Sequence, residues 1–200
     1  KYIYASSSSV YGGNKSLPFS VKDRVDKPIS LYAASKKSTE LIAEYYSHLY
    51  KIKSIGLRFF TVYGPWGRPD MATFIFTKNI INGKPINIFN YGKMKRDFTY
   101  VDDIVSGIYG SINLNMKKFH KVYNLGNSKS ESLLEFIKLI EKNLNKKAKK
   151  NFLPLQPGDV PATFADISES TKDLKFVPKT KINEGIPKFI EWFKKYYKLL

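Results

Sequence analysis

A long helical pattern followed at once by a buried strand constrains the fold of this chain most strongly. Apolar residues recur at helical spacing from Leu31 to Tyr50, and residues 53–60 then form a short apolar run that leads into Gly64 and Pro65. A helix that feeds a buried strand is typical of a parallel α/β sheet, whose ligands bind beyond the carboxyl ends of the strands. We therefore expect an α/β fold with a site among the residues that follow strands.

The remaining periodicities predict elements that suit the same fold. Short apolar runs predict strands at residues 1–5, 86–91 and 122–125 and an extended segment at residues 151–155. Helical spacing predicts helices at residues 71–82, 102–113, 132–143, 168–174 and 182–200. Asp102 and Asp103 are expected to supply the cap and the first-turn acid of the 102–113 helix.

Composition excludes several classes of site. The chain has 200 residues, of which 42% are hydrophobic, so it can build a core. It has no cysteine, which excludes disulfides and thiolate sites, and only two histidines, His48 and His120, so no metal site is expected. No apolar run approaches the length of a membrane span and no signal peptide opens the chain, so we expect a cytoplasmic protein without a membrane partner.

The charge balance invites a nucleic-acid interpretation. Lys and Arg number 34 against 17 Asp and Glu, which gives a formal net charge of +17. The lysines are spread along the chain, however, with one cluster at residues 146–150, and no zinc finger, basic zipper or RNA-recognition signature surrounds them. We expect lysine-rich solvated faces and no nucleic-acid partner, and a positive field would also favour a small anionic substrate.

Tyr32 and Lys36 form a candidate acid/base pair. They lie four residues apart on the predicted helix, so their side chains project from one face, one turn apart. The pKa of a free tyrosine is about 10, so it must fall by roughly three units for the side chain to act as a base near neutral pH. A nearby ammonium supplies part of that change. An exposed ion–dipole pair without a function is the alternative.

A serine loop at residues 6–9 directly follows the first predicted strand. A hydroxyl at the end of a strand can bridge a tyrosine and a substrate hydroxyl and so assist proton transfer. Ser7 is therefore a candidate partner for Tyr32. A plain serine turn is the alternative.

Five motifs in order give this chain a family resemblance. They are ASSSSVYG at residues 5–12, LYAASK at 31–36, LRFFTVYGPWGRP at 57–69, RDFTYVDD at 96–103 and YNLG at 123–126. Together they resemble the extended short-chain dehydrogenase/reductase family of NAD-dependent sugar epimerases and dehydratases. Residues 65–71 and 156–160 are most similar to bacterial UDP-glucuronate 4-epimerases of capsule and lipopolysaccharide pathways.

The resemblance implies an NAD cofactor, a UDP-sugar substrate and a set of site residues. Ser7, Tyr32 and Lys36 would be catalytic, and Tyr32, Lys36 and Phe59 would contact the cofactor. The substrate would be bound by Ser7, Ser8, Ser9, Thr61, Arg68, Phe89, Arg96 and Asp159. Arg68 and Arg96 are the candidates for the diphosphate, with ordinary surface arginines as the alternative, and Phe89 is a candidate for the uracil or a plain core residue.

The residues of the serine loop also distinguish between the reactions that members of this family catalyse. Dehydratases carry an Asp-Glu pair directly after the catalytic hydroxyl, whereas this chain has Ser8 and Ser9. These hydroxyls, with Thr61, suit the carboxylate of a uronate. The resemblance therefore implies conversion of UDP-glucuronate to UDP-galacturonate. A UDP-glucose 4-epimerase, another family member, and a non-catalytic UDP-sugar-binding protein remain alternatives.

The resemblance also implies a domain organisation. Residues 1–65 would be the C-terminal portion of a Rossmann-like NAD-binding domain, and residues 66–200 mainly a nucleotide-sugar-binding lobe, with 98–130 returning to the Rossmann sheet. The family's Gly-x-x-Gly-x-x-Gly fingerprint is absent. We therefore expect a fragment with little or no turnover by itself, and a homodimer for the full-length protein.

Overall fold

The computed structural model describes residues 1–199 as a mixed α/β protein. The strands are β1 (Tyr2–Ser7), β2 (Ser54–Phe59), β3 (Thr61–Tyr63), β4 (Pro85–Ile88), β5 (Lys95–Arg96), β6 (Phe98–Tyr100), β7 (His120–Leu125), β8 (Glu131–Ser132) and β9 (Lys149–Phe152). The helices are α1 (Leu31–Tyr50), α2 (Ala72–Ile81), α3 (Val101–Asn113), α4 (Leu133–Leu144), α5 (Ser168–Leu174) and α6 (Ile182–Tyr196).

The central sheet is parallel, as the helix-then-strand order predicted. Its order is β1-β2-β7, with Tyr2 opposite Ser54 and Ser54 opposite His120. Three two-stranded pairs complete the strands: β3–β6 and β4–β9 are parallel and β5–β8 is antiparallel. The Rossmann-like α/β class is thereby confirmed, whereas the proposed division at residue 65 stays a prediction.

Helices α1 and α3 cover opposite faces of the sheet because successive residues of β2 point to opposite sides. Arg58 of β2 bonds to Glu40 of α1. Ile55 and Leu57 pack instead in a buried cluster that includes Ile104 of α3. A second and larger core joins α2, α4 and α6, and Phe98 stacks on Phe136 inside it at 3.9 Å between ring centroids.

Several predicted boundaries are wrong, each for a local reason. The predicted strand 86–91 ends at Ile88, because Asn90 and Tyr91 take positive φ angles of 50° and 49° and turn the chain. Tyr100, rather than an aspartate, is the N-cap of α3, and Asp102 and Asp103 both lie in its first turn. The extended segment begins earlier than predicted, at Lys149.

The terminal helix and the lysine cluster also differ from the simple expectation. Helix α6 ends at Tyr196, and Leu200 lies outside the described residues. Lys150 bonds to Glu141 at 2.8 Å, and the Lys146 ammonium donates to the carbonyl of Ile81 at 3.0 Å. Two lysines of the 146–150 cluster therefore make contacts within the protein.

Candidate active site

The serine loop turns sharply at the carboxyl end of β1. Ser7 ends the strand, and its side-chain oxygen accepts a hydrogen bond from the backbone N–H of Ser9 at 3.2 Å, which caps the 3₁₀ turn Ser8–Tyr11. Gly12 ends the turn with a φ of 56°, and a side chain there would collide with the carbonyl of Lys27. The turn is therefore held against the chain that leads into α1.

A cleft of about 170 Å³ lies beside this turn. Its lining brings together six residues that the sequence proposed for one site: Ser7, Ser8, Ser9, Thr61, Arg96 and Asp159. They come from the end of β1 and the turn after it, the start of β3, the end of β5 and the loop after β9. The carboxyl edge of the parallel strands is where the fold was expected to place a site.

Hydroxyls and one guanidinium dominate the polar lining. The Ser9 hydroxyl is buried and has no hydrogen-bond partner among the described residues. Arg96 is the single cation of the lining. Its Nη1 donates to the carbonyl of Val160 at 2.7 Å and its Nη2 to Asp159 Oδ1 at 3.2 Å. Burial lowers the pKa of Arg96, although Asp159 acts in the opposite direction.

The N-terminus of α1 borders the same cleft. Ser30 caps this helix by accepting from the backbone N–H of Ala33 at 3.1 Å, and Ser30 itself lines the cleft. Tyr32 follows two residues later and is 50% exposed. The Lys36 ammonium lies 5.8 Å from the centroid of the Tyr32 ring and donates to the carbonyl of Ala5 at 3.0 Å. The predicted proximity of tyrosine and lysine is present.

An NAD nicotinamide ribose fits the free donors at this position. A lysine ammonium has three N–H donors, and the bond to Ala5 uses one of them. Lys36 is only partly buried, so its remaining donors are accessible to ribose hydroxyls.

The described residues contain no cluster of three or more His, Cys, Asp or Glu side chains suited to a metal.

Five predicted residues lie outside the cleft lining. Tyr32 and Lys36 lie on the helix beside it, and the other three are Arg68, Phe59 and Phe89. Arg68 is exposed and forms two bonds to Asp70, at 3.1 and 2.9 Å. Phe59 is partly buried against the cluster that contains Ile55 and Leu57. Phe89 is partly buried at the start of the 3₁₀ turn after β4. Their predicted contacts with substrate or cofactor stay predictions.

Sequence reasoning missed other members of the lining. These are Gly12, Phe19, Ile29, Ser30, Gly158, Val160 and Thr163. The N-cap pattern of a serine just before a helical run could have indicated Ser30. Thr163 has no such signal, because it reaches the cleft only through the pairing of its N–H with the carbonyl of Lys95 at 3.2 Å.

A family model matches the larger part of this chain. Residues 1–126 match the family model described as the NAD dependent epimerase/dehydratase family. The chain belongs to this family. No helix among residues 1–199 has the length and apolar character needed to cross a membrane.

Relatives within the family are similar over almost the whole chain. An uncharacterized protein of Methanocaldococcus jannaschii is 61% identical over 193 residues, which is 96% of this chain and 59% of the relative. UDP-glucuronate 4-epimerase 2 of Arabidopsis thaliana is 47% identical, covering 98% of this chain and 49% of the plant protein. The chain thus spans about half to three fifths of these relatives' length.

A solved structure has the same fold. The UDP-glucuronic acid 4-epimerase of Bacillus cereus, in complex with UDP-glucuronic acid and NAD, superposes with a TM-score of 0.91 at 36% identity. The match covers 98% of this chain and 62% of that one. This chain is thus similar to NAD-dependent nucleotide-sugar epimerases in both sequence and structure.

Proposed function

We propose that the protein is a UDP-glucuronate 4-epimerase, which interconverts UDP-glucuronate and UDP-galacturonate with bound NAD. The observation that carries this proposal is the cleft in which the hydroxyls of Ser8, Ser9 and Thr61 lie with Arg96, beside the N-terminus of the helix that holds Tyr32 and Lys36. The similarity to proteins named for this activity supports it.

The protein's own groups would handle the proton of the reaction. NAD, when bound, supplies the hydride acceptor for the sugar C4 atom. The Tyr32 hydroxyl oxygen takes the proton of the sugar 4-hydroxyl and later returns it. Lys36 donates to the nicotinamide ribose beside Tyr32, and Ser7 bridges Tyr32 and the sugar hydroxyl.

The uronate carboxylate would be bound by the hydroxyls of Ser8, Ser9 and Thr61. The unpartnered Ser9 hydroxyl supports this role, because a buried donor without a partner is costly and a carboxylate oxygen would satisfy it. Thr61 is well placed because its backbone N–H donates to the carbonyl of Asp97 at 3.0 Å, which fixes the start of β3.

The nucleotide would be bound on the Arg96 side of the cleft. Arg96 now donates to Asp159, and diphosphate oxygens would replace that carboxylate because the guanidinium fork matches them. Asp159 is then free to accept from the uridine ribose hydroxyls. We propose that Arg68 assists at the diphosphate, that Phe89 contacts the uracil and that Phe59 contacts the nicotinamide.

A substrate-preference assay tests the uronate assignment. The protein, expressed from its complete reading frame, is incubated with NAD and either UDP-glucuronate or UDP-glucose, and the C4 epimers are quantified. We expect turnover of UDP-glucuronate, and we expect Ser8→Ala/Ser9→Ala to raise its KM by about tenfold to a hundredfold, since one or two charge-assisted hydrogen bonds are lost. Ser106→Ala, on the exposed side of α3, is the matched control.

Two outcomes would contradict the proposal. Turnover of UDP-glucose alone would show that the hydroxyls do not select a carboxylate. Tight binding of UDP without turnover of either sugar would favour a non-catalytic UDP-sugar-binding protein.

A further inference from the structure

An exposed cluster of aromatic rings lies where α6 meets the loop between β3 and α2. The ring of Trp66 is centred 5.4 Å from that of Trp192 and 5.3 Å from that of Tyr196. Trp192 and Tyr196 stack on each other at 5.4 Å. Although Trp66 contacts both rings, it remains 74% exposed, and Tyr196 is 53% exposed.

The backbone of Trp66 is unusual as well. Its φ is +63°, in the left-handed region that bulky residues rarely adopt. A non-glycine residue in that region costs free energy and is found preferentially at functional positions. Because the Trp66 side chain is largely exposed, its burial does not offset the free-energy cost of this backbone conformation. The outward position of the ring therefore indicates a function.

Several lysines lie close in sequence to the aromatic residues of α6. Lys195 and Lys198 are exposed on and just after α6. Lys188 is exposed too, with its ammonium 5.2 Å from the centroid of the Tyr100 ring, and Lys194 donates to the carbonyl of Asn143 at 3.5 Å. Glu191 is the single acid between Lys188 and Lys198. Asp70, in the adjoining loop, is already paired with Arg68 at 2.9 Å. The local charge is therefore strongly positive.

The cluster is separate from the proposed active site. None of its residues lines the cleft. The other large exposed apolar faces belong to α1 and α3, which flank the three-stranded sheet. Helix α6 instead packs with α4 in the second core, and it lies after residues 1–126, which match the family model. Nothing in the proposed epimerase reaction uses the cluster.

We propose that the aromatic–lysine patch, formed by Trp66, Trp192, Tyr196, Lys188, Lys195 and Lys198, docks the protein on an anionic lipid surface. Trp and Tyr are amphipathic and sit at the headgroup level of bilayers, while lysines pair with anionic headgroups. The expectation that no membrane is a partner came from the absence of a spanning segment, which leaves surface binding open.

The packing of the rings favours a lipid surface over a nucleic acid. Single-stranded nucleic acids bind by stacking bases on free aromatic faces. Here Trp192 is stacked on Tyr196, and further rings, those of Phe189 and Phe193, lie within 6.3 Å of it. The cluster leaves the indole of Trp66 largely exposed, which suits insertion between headgroups.

Vesicle binding tests this proposal independently of epimerase activity. The chain is sedimented with vesicles of phosphatidylcholine alone or mixed with phosphatidylglycerol. We expect binding to the anionic vesicles only, and a loss of at least about tenfold in partition for Trp66→Ala and for Lys195→Glu/Lys198→Glu. The control Lys117→Glu/Lys118→Glu makes the same change of charge at two exposed lysines after α3 and should bind as the parent does.

A second readout reports on Trp66 directly. In Trp192→Phe, Trp66 is the remaining tryptophan, and its emission should shift to the blue and be quenched by brominated lipid. The proposal is overturned if emission does not change, or if the control variant loses binding as much as the patch variant. It is also overturned if a single-stranded oligonucleotide binds through Trp66 more tightly than the vesicles do. Circular dichroism confirms that each variant is folded.

Discussion

At the scale of single residues, Asp97 organises the site without lining it. Its carboxylate is fully buried and accepts hydrogen bonds from Thr99 Oγ1 at 2.9 Å and from three backbone N–H groups, those of Asn127, Ser128 and Ala165. Burial raises the pKa of Asp97 although these donors oppose the change. Asp97 directly follows Arg96, and its carbonyl accepts a hydrogen bond from the N–H of Thr61. Asp97 therefore links the segments at residues 61, 127–128 and 165 around the cleft.

The sequence contained this residue within a recognised motif but gave no sign of its role. RDFTYVDD directed attention to Arg96, since a guanidinium has an obvious use near a diphosphate. Three of the donors to Asp97 come from residues 127, 128 and 165, which no local pattern connects to residue 97. By contrast, the tyrosine–lysine pair was predictable because helix geometry alone places the two side chains together.

We predict that Asp97→Asn lowers the free energy of unfolding by about 3 kcal/mol, because an amide nitrogen replaces one acceptor and faces backbone N–H groups that lose their partners. Urea denaturation followed by fluorescence measures the change. The matched variant Thr99→Val removes one donor and keeps the carboxylate, so it should cost about 1 kcal/mol. Equal stability of Asp97→Asn and the parent would show that the carboxylate does not hold these segments.

At the scale of elements, α1 illustrates what periodicity predicts and what it does not. The helix was predicted over the residues it occupies, 31–50. Its apolar residues, however, do not face the sheet: Leu41, Ile42, Tyr45 and Leu49 are each about half exposed. The buried positions are Ala33, Glu40, Ala43 and Ser47, so small residues and a buried ion pair make the contact with the strands.

The ion pair explains why the sheet side of α1 tolerates a charge. Glu40 accepts two bonds from Arg58, at 2.8 and 2.9 Å, and a third from Ser6 at 2.6 Å. Burial opposes the ionised form of Glu40, but Arg58 and Ser6 outweigh it and hold the Glu40 pKa below its usual value. Arg58 also lies 4.9 Å from the centroid of the Tyr11 ring, at the base of the serine turn.

This pair predicts a dependence of stability on pH. A carboxylate with a lowered pKa in the folded state contributes stability above its unfolded pKa, and that contribution disappears as the pH falls through the folded pKa. We therefore expect the stability difference between the parent and Glu40→Gln to be about 3 kcal/mol near pH 7, since the variant leaves Arg58 buried without a counter-charge. The difference should shrink as the pH falls below 4.5, the usual pKa of glutamate.

Urea denaturation across pH measures that difference, with the exposed Glu44→Gln on the same helix as the control. Taking the difference between parent and variant removes the contribution of Asp97, whose raised pKa acts in the opposite direction. A difference that stays constant down to acid pH would contradict the assignment.

At the scale of the whole molecule, the exposed stripe of α1 is the feature that the isolated chain leaves unexplained. Soluble monomers rarely expose a contiguous apolar patch of this kind, and such patches mark interfaces. We propose that α1 takes part in the homodimer that the family resemblance implied. The stripe is formed by Leu41, Ile42, Tyr45, Tyr46, Leu49 and Tyr50.

Sedimentation velocity tests the α1 interface. Ile42→Glu/Leu49→Glu places two charges in the stripe, so we expect the sedimentation coefficient to fall to that of a monomer. Val177→Glu, at a similarly exposed apolar residue outside the stripe, should leave the assembly unchanged. A dimer that survives the stripe variant would place the interface elsewhere.

Substrate turnover by Tyr32→Phe tests whether Tyr32 transfers the proton of the sugar 4-hydroxyl. The parent protein and Tyr32→Phe, both expressed from the complete reading frame, are compared for the rate at which they convert UDP-glucuronate in the presence of NAD. Their affinities for UDP are measured as well. Tyr109→Phe, at an exposed tyrosine on α3, is the control. We expect Tyr32→Phe to lower kcat by a factor of about 10²–10⁴ while UDP binds as before, because only proton transfer is lost. A rate within about threefold of the parent would contradict it.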